Sequence, residues 1–480
     1  MIEKTRGISE DWLSLILGLF IFILGLGVFA GVDLLGWSAR TSVWVDISKA
    51  LGPVSKAVKI SGGLSLILTY LFVLAVVTVG AVALGARVGR FVIAFTIIFW
   101  ISYACWVVGH YAYIAATPDK LKNYGIPWSL NLTGEAGYIL ALLAGLVVGN
   151  FFPGFANYLK EATRPELFIK TAIVIMGAAL GAKAAESLGL ASAILFRGLC
   201  ASIEVYLIDW AIVYLVARTI FKFNREWAAP LASGISICGV SAAIATGGAI
   251  RARPVVPIMV SSLVVIFAVV ELLILPFLAK TFLWHEPMVA GDWMGLAVKT
   301  DGAAVASGAI VDALVRAETV ARTGVQYQEG WILMPATTSK IFIDMFIGIW
   351  AFILAIIWCT VIECKPGERV RAIEIWHRFP KFVIGYFLTF IIMLVVSLAS
   401  PAALKLAKQA SAETNIFRVL FFVLTFFTIG VVSNFRKLWE EGIGKLAAVY
   451  FVCLFGFIVW LGLLISWIFF HGIKPPVVTG

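Results

Sequence analysis

Nine of the ionisable side chains inside apolar runs of this chain define the chemistry open to it. Arg197, Glu204 and Asp209 share one run, and Glu271 lies in another. Lys299 and Asp301 share a third with Asp312, and Lys340 and Asp344 a fourth. A charge inside a membrane segment costs roughly 2.5–3.5 kcal/mol on insertion scales, so such groups face the interior of a bundle and pair there. Arg197 and Glu204 are seven apart on one helical face and Lys340 and Asp344 four apart, spacings that allow pairing. Lys299, Asp301 and Lys340 sit beside glycine- and hydroxyl-rich backbone, a setting suited to holding an anion or a coupling cation. Glu271 and Asp209 can each act as a proton-binding carboxylate or as a charge reaching toward a helix end. Arg251 and Arg253 read as anchors at the membrane interface.

The neutral half of the chemistry lies between Trp227 and Pro254. This stretch is long enough to cross a bilayer, yet it holds the internal Pro230, four glycines and four hydroxyl residues. Gly and Pro weaken the hydrogen-bond ladder of a helix. Hydrocarbon tolerates broken backbone only where protein or a water-filled cavity satisfies it, and broken segments are how many secondary transporters build a midplane site. The alternative is a Gly/Ala-rich helix packed closely against its neighbours. The run Gly234–Gly247 has an echo in Gly295–Gly308, sharing the terminal glycines, an Ala-Ala pair and a hydroxyl before the last glycine. Only 61 residues separate the two, so they read as two similar broken elements meeting at one site. A weaker echo links Leu180–Gly189 with Ser433–Gly442.

These residues need a membrane scaffold, and composition supplies one. Of 480 residues, 61% are hydrophobic and 13% charged, with a mean hydropathy of +1.01; this is the polytopic membrane class. The net charge of +10 fits basic loops under the positive-inside rule, and no aromatic-interleaved basic patch suggests nucleic acid. Six cysteines without a CxxC and four scattered histidines indicate neither a disulfide framework nor a metal site. No HExxH or GxSxG motif supports an enzyme, and no cofactor is implied.

About thirteen transmembrane segments are expected at the ~20-residue length a bilayer requires. Three lie near 12–30, 62–84 and 91–113, with an interfacial helix expected around Val43–Lys59. Residues 1–116 thus form an N-terminal three-helix extension, joined by a linker over 117–135. Ten further segments lie near 136–152, 167–187, 191–217, 228–250, 254–278, 293–314, 333–362, 380–400, 416–435 and 444–470. The one at 293–314 is the weakest by hydropathy and reads as broken or re-entrant. The basic loops 218–226 and 362–379 (Lys365, Arg369, Arg371, Arg378) are expected to be cytoplasmic, with the N-terminus, if all thirteen span.

From about residue 134 to 470 the chain resembles the YeiH-like sulfate exporter family of bacterial membrane proteins. Ser236-Ile-Cys-Gly-Val-Ser-Ala242 carries the resemblance, supported by Met176–Gly181, Arg378–Gly385 and Thr428-Ile-Gly430. The resemblance implies a relative of the cation/proton antiporter and anion transporter superfamily. Its fold would be an all-α polytopic membrane protein whose ten-helix core is two inverted five-helix repeats with broken helices, here 136–278 and 293–470. It also implies a small anion such as sulfate, and a bacterial inner-membrane location. Where the family pattern has a His before an acidic residue, this chain has Lys299-Thr300-Asp301, and Asp344 stands where an arginine is expected. A fixed Lys suits an anion but weakens a proton switch at that position.

The expectation is therefore a secondary transporter working by elevator-like alternating access. Ser236, Cys238, Gly239, Ser241, Lys299, Thr300 and Lys340 would contact the anion, through half-helix N-termini, backbone N–H groups and the two ammonium charges. Asp301, Asp344 or Glu271 would couple movement to a proton or Na⁺. A sodium-coupled symporter of an organic anion or bicarbonate, and an anion channel, stand as alternatives. A homodimer in the bilayer is compatible with either.

Overall fold

The computed structural model describes residues 8–116, 120–130, 132–253, 255–362, 376, 379–433 and 444–478. In chain order the α-helices longer than four residues are α1 (Glu10–Gly25, continued as a 3₁₀ turn to Ala30), α2 (Gly62–Ala83), α3 (Val88–Gly109), α4 (Ala136–Phe151) and α5 (Pro153–Leu159). Then come α6 (Pro165–Glu186), α7 (Leu188–Leu215), α8 (Arg225–Ser236), α9 (Val240–Ala249), α10 (Val255–Phe282), α11 (Pro287–Ala297) and α12 (Asp301–Thr323). The last are α13 (Leu333–Met345), α14 (Ile347–Ile357), α15 (Lys381–Ala399), α16 (Pro401–Val432), α17 (Gly444–Cys453) and α18 (Val459–Phe470). The protein is an all-α polytopic membrane protein.

Among the described residues, ten helices are long and apolar enough to cross a membrane, or eleven when α4 and α5 count as one span bent by 115°. That bend falls at Phe152, before Pro153, where the proline ring drives the preceding residue out of the α region. The two remaining expected segments, at 228–250 and 293–314, are each split: α8 from α9, and α11 from α12.

The expected interfacial helix around Val43–Lys59 is instead a two-stranded antiparallel hairpin, β1 (Ala39–Thr41) and β2 (Leu51–Pro53), with Ala39 opposite Pro53. Gly52 and Pro53 are poor helix interior residues, and the Thr69 hydroxyl accepts the Ala39 N–H at 2.9 Å, so an unpaired strand donor is satisfied from α2. Helix α16 begins fifteen residues before the expected 416, at Pro401. Its first half carries Lys405, Lys408 and Glu413, which mask it from hydropathy. The basic residues of loop 362–379 and most of Ser433–Gly442 lie outside the described residues.

The chain divides into two compact units: Met1–Leu190 with Lys381–Val432, and Ala191–Pro380 with Ser433–Gly480. In the first, α6 packs against α1, α15 and α16, and α4 against α3 and α16. Glycines allow the closest approaches: a Cβ on Gly177 or Gly181 would strike the Tyr386 or Phe390 carbonyl of α15. Lys170 ties α6 to Asp11 of α1 at 2.7 Å.

In the second unit, α8 and α9 pack on α10, and α11 and α12 on α13. The echoing glycines take matching places. Cβ atoms on Gly234 and Gly247 would press on Val260 and Pro257 of α10, and those on Gly295 and Gly308 on Ala336 of α13. Both broken helices, and every expected site residue, belong to this unit.

Candidate functional site

Two interrupted helices meet at their breaks. Asn224 starts α8 by accepting the Trp227 N–H at 3.1 Å. The helix stops at Ser236 because Gly239 lies at φ +75°, ψ −107°, a conformation that side chains resist. Space imposes glycine as well. A Cβ there would collide with Val264 Cγ1 and come within 3.2 Å of the Lys299 carbonyl oxygen, which belongs to the second break. Gly239→Ala should therefore cost on the order of 2–3 kcal/mol through strain and overpacking. A melting curve of the purified variant that overlays the wild type would refute this.

In the second element α11 ends at Ala297, Val298 turns extended, and Thr300 restarts the chain as α12, its hydroxyl accepting the Ala303 N–H at 3.2 Å. A broken helix frees backbone donors and acceptors that hydrocarbon cannot satisfy. Side chains from the two supporting helices answer them crosswise. Lys340 of α13 donates to the Ile237 carbonyl of the first break at 2.8 Å, and to Lys299 and Val298 carbonyls of the second at 3.3 and 3.5 Å. Glu271 of α10 accepts the Lys299 N–H at 3.2 Å. One ammonium thus fastens both breaks, at the carbonyl-rich ends of α8 and α11 where positive charge is favoured.

The Lys299 side chain is also held. Its ammonium lies 3.1 Å from Asp209 of α7 and 2.6 Å from the Leu296 carbonyl. Lys340 approaches Asp301, the first residue of α12, at 3.8 Å. Cys238, Asp301 and Asp344 bring one sulfur and two carboxylate oxygens within 4.8 Å of one another, all buried. No metal site is indicated by the cysteine and histidine spacing, yet this mixed donor set has the spacing to surround a cation. Ser236 Oγ, Asp209 Oδ1, Glu271 Oε1, Ser307 Oγ and Thr338 Oγ1 are buried with no hydrogen-bond partner among the described residues. Such atoms suit water or a polar occupant.

The expected site residues therefore converge from five helices, with different duties. Cys238, Gly239, Asp301, Lys340 and Asp344 share the crossing, and Ser236 adjoins it at the end of α8. Glu271 and Thr300 serve the second break, and Ser241 lies half-buried in the first turn of α9. Lys299 offers its carbonyl to the crossing and its ammonium to Asp209. Arg197 donates to the Phe469 carbonyl at 2.6 Å while Glu204 is exposed, in place of the pairing their spacing allows. Arg253 pairs with Glu226 at 2.9 Å.

One residue escaped the sequence reading. Asp292 of α11 is fully buried and accepts hydrogen bonds from Ser339 of α13 at 2.5 Å and Ser466 of α18 at 2.7 Å. Its signal was an acid between two glycines four apart, Gly291 and Gly295, a small-residue spacing typical of close helix contact.

Comparison of the sequence with known proteins finds relatives. A family model described as conserved hypothetical protein 698 matches residues 127–451. A UPF0324 membrane protein of Nitrosomonas europaea is 44% identical over 477 residues, covering 98% of this chain and 97% of its own. An uncharacterized protein of Archaeoglobus fulgidus is 52% identical over 165 residues, 30% of this chain and 88% of its own. A UPF0324 membrane protein of Nitratidesulfovibrio vulgaris is 27% identical over 412 residues, 83% of this chain and 63% of its own. No solved structure matches.

Proposed function

The chain belongs to the conserved hypothetical protein 698 family, and we propose that it is a secondary active transporter moving a small inorganic anion, such as sulfate, by alternating access. The observation that carries this reading is the crossing of two broken helices fastened by the single ammonium of Lys340. Continuous helices would span a bilayer at lower cost. Paired breaks place polar backbone and helix termini inside the membrane, where a small polar cargo can exchange hydrogen bonds with them. The resemblance to the YeiH-like sulfate exporters supplies the anion and the bacterial inner membrane. In an elevator-type motion the unit that holds both broken helices moves as one body.

Charge decides how such a cargo travels. Asp209, Glu271, Asp301 and Asp344 lie buried around Lys299 and Lys340, the buried cations of this unit among the described residues. Four acids against two bases repel an anion unless protons or a cation arrive with it. Asp301, Asp344 and Glu271 are the coupling groups of this proposal. The half-buried first turn of α9, with Ser241, offers N–H donors to the anion.

Protein in liposomes should exchange labelled sulfate, and the exchange should respond to an imposed proton or Na⁺ gradient. Ohmic current without coupling would make the protein a channel and sink this reading. A second reading has one observation in its favour, the cation-sized Cys238/Asp301/Asp344 cluster: a sodium-coupled symporter of an organic anion or bicarbonate. Na⁺-dependent uptake of such an anion, without sulfate exchange, would establish it.

A further inference from the structure

We propose that the Asp292 carboxyl is a proton-binding site in the membrane interior, separate from the crossing and linked to it through Ser339. Asp292 lies at the middle of α11 with no exposed surface. Both its oxygens are engaged by hydroxyls, Oδ1 by Ser339 and Oδ2 by Ser466, on two different helices. Gly291 and Gly295 bring α11 close enough to α13 for the first contact, since a Cβ at either would collide with the Ile332 or Ala336 carbonyl.

Among the described residues, no charged side chain on the four helices packed most closely on α11 pairs with Asp292. On α10, Glu271 takes the Lys299 N–H and Lys280 lies 3.7 Å from Glu318. On α12, Asp301 neighbours Lys340. Asp312 pairs with Arg316 at 2.8 Å and accepts the Ile332 N–H at 3.0 Å, while Arg322 pairs with Glu318 at 2.6 Å. On α13, Lys340 holds the breaks and Asp344 joins Cys238 and Asp301. Helix α18 carries no ionisable residue.

Two hydroxyls around one carboxyl suit both of its states. A serine donates to a carboxylate and accepts from a carboxylic acid after a rotation about its C–O bond. An ammonium or guanidinium partner would hold the group ionised permanently; serines leave it free to exchange a proton. Ser339 precedes Lys340 in the chain, and its carbonyl accepts the Ser202 hydroxyl at 2.9 Å. A change of charge on Asp292 therefore acts on the turn of α13 that carries the ammonium fastening both breaks.

The proton site stands without the transport reading, and only the use of the proton rests on it. Infrared spectra of the reconstituted protein, titrated from acid to alkaline pH, should show one buried carboxyl fewer in Asp292→Asn than in wild type. Ser466→Ala keeps the carboxyl but withdraws a donor from the ionised form. Its band should shift its midpoint to higher pH by about one to two units, which also tests the site if Asp292→Asn does not fold. Folded variants whose carboxyl bands titrate like the wild type would overturn the proposal. Absence of any coupled anion exchange with these band changes present would sink the transport reading and support the proton site.

Discussion

Lys340→Met is expected to lose at least about 4 kcal/mol of stability and all anion exchange. The side chain is 1% exposed, and its ammonium holds carbonyl oxygens from both helix breaks as well as lying 3.8 Å from Asp301. Methionine keeps most of the volume and removes every donor. Each buried carbonyl left without a partner costs about 1–3 kcal/mol, and a buried carboxylate deprived of its cation costs about 3–5 kcal/mol. The breaks then lose the ammonium they share and are left with packing contacts such as Gly239 against the Lys299 carbonyl. Lys340→Arg keeps the charge, but a planar fork cannot donate to three carbonyls around one point; it should recover part of the stability and little exchange. Detergent melting curves read the first effect and liposome flux the second. A Lys340→Met protein that melts with the wild type would show that the ammonium does not fasten the breaks.

How far this centre is legible in the sequence depends on what each residue answers to. Gly239, Asp301 and Lys340 stand out because their types are wrong for hydrocarbon, and that signal is local. Their partners are not local. Nothing near Lys299 in sequence announces Asp209, ninety positions earlier, or shows that the Lys299 N–H rather than its ammonium meets Glu271. Spacing suggested that Arg197 faces Glu204, yet an end-of-helix carbonyl at Phe469 needed a donor and took the arginine. Hydropathy windows erred where a boundary cut through chemistry. Starting a segment at 293 excluded Asp292 by one residue, and the lysines of α16 hid its first turns. Residues 39–53 mix apolar and polar side chains as an interfacial helix would, and the Gly52-Pro53 pair, poor in a helix interior, is where that expectation fails.

Lys299→Met alone should destabilise the protein by about 3–5 kcal/mol, because it strands the fully buried Asp209 carboxylate 3.1 Å from where its only ion-pair partner among the described residues had been. The structure thus changes what loss of transport in such a variant means: an unfolded protein also transports nothing. Combining Lys299→Met with Asp209→Asn removes both charges together and leaves the net charge of the centre unaltered. A buried ion pair replaced by neutral residues of similar size is often no less stable than the original, so the double variant should melt within about 1.5 kcal/mol of wild type, well above Lys299→Met alone. Exchange should stay lost in this folded protein if the Lys299 ammonium leaves Asp209 during the cycle to make the anion contact expected of it from the sequence. Recovery of exchange together with stability would assign Lys299 and Asp209 to holding α7 against the second break, and would leave Lys340 as the only buried lysine at the crossing for the anion to meet.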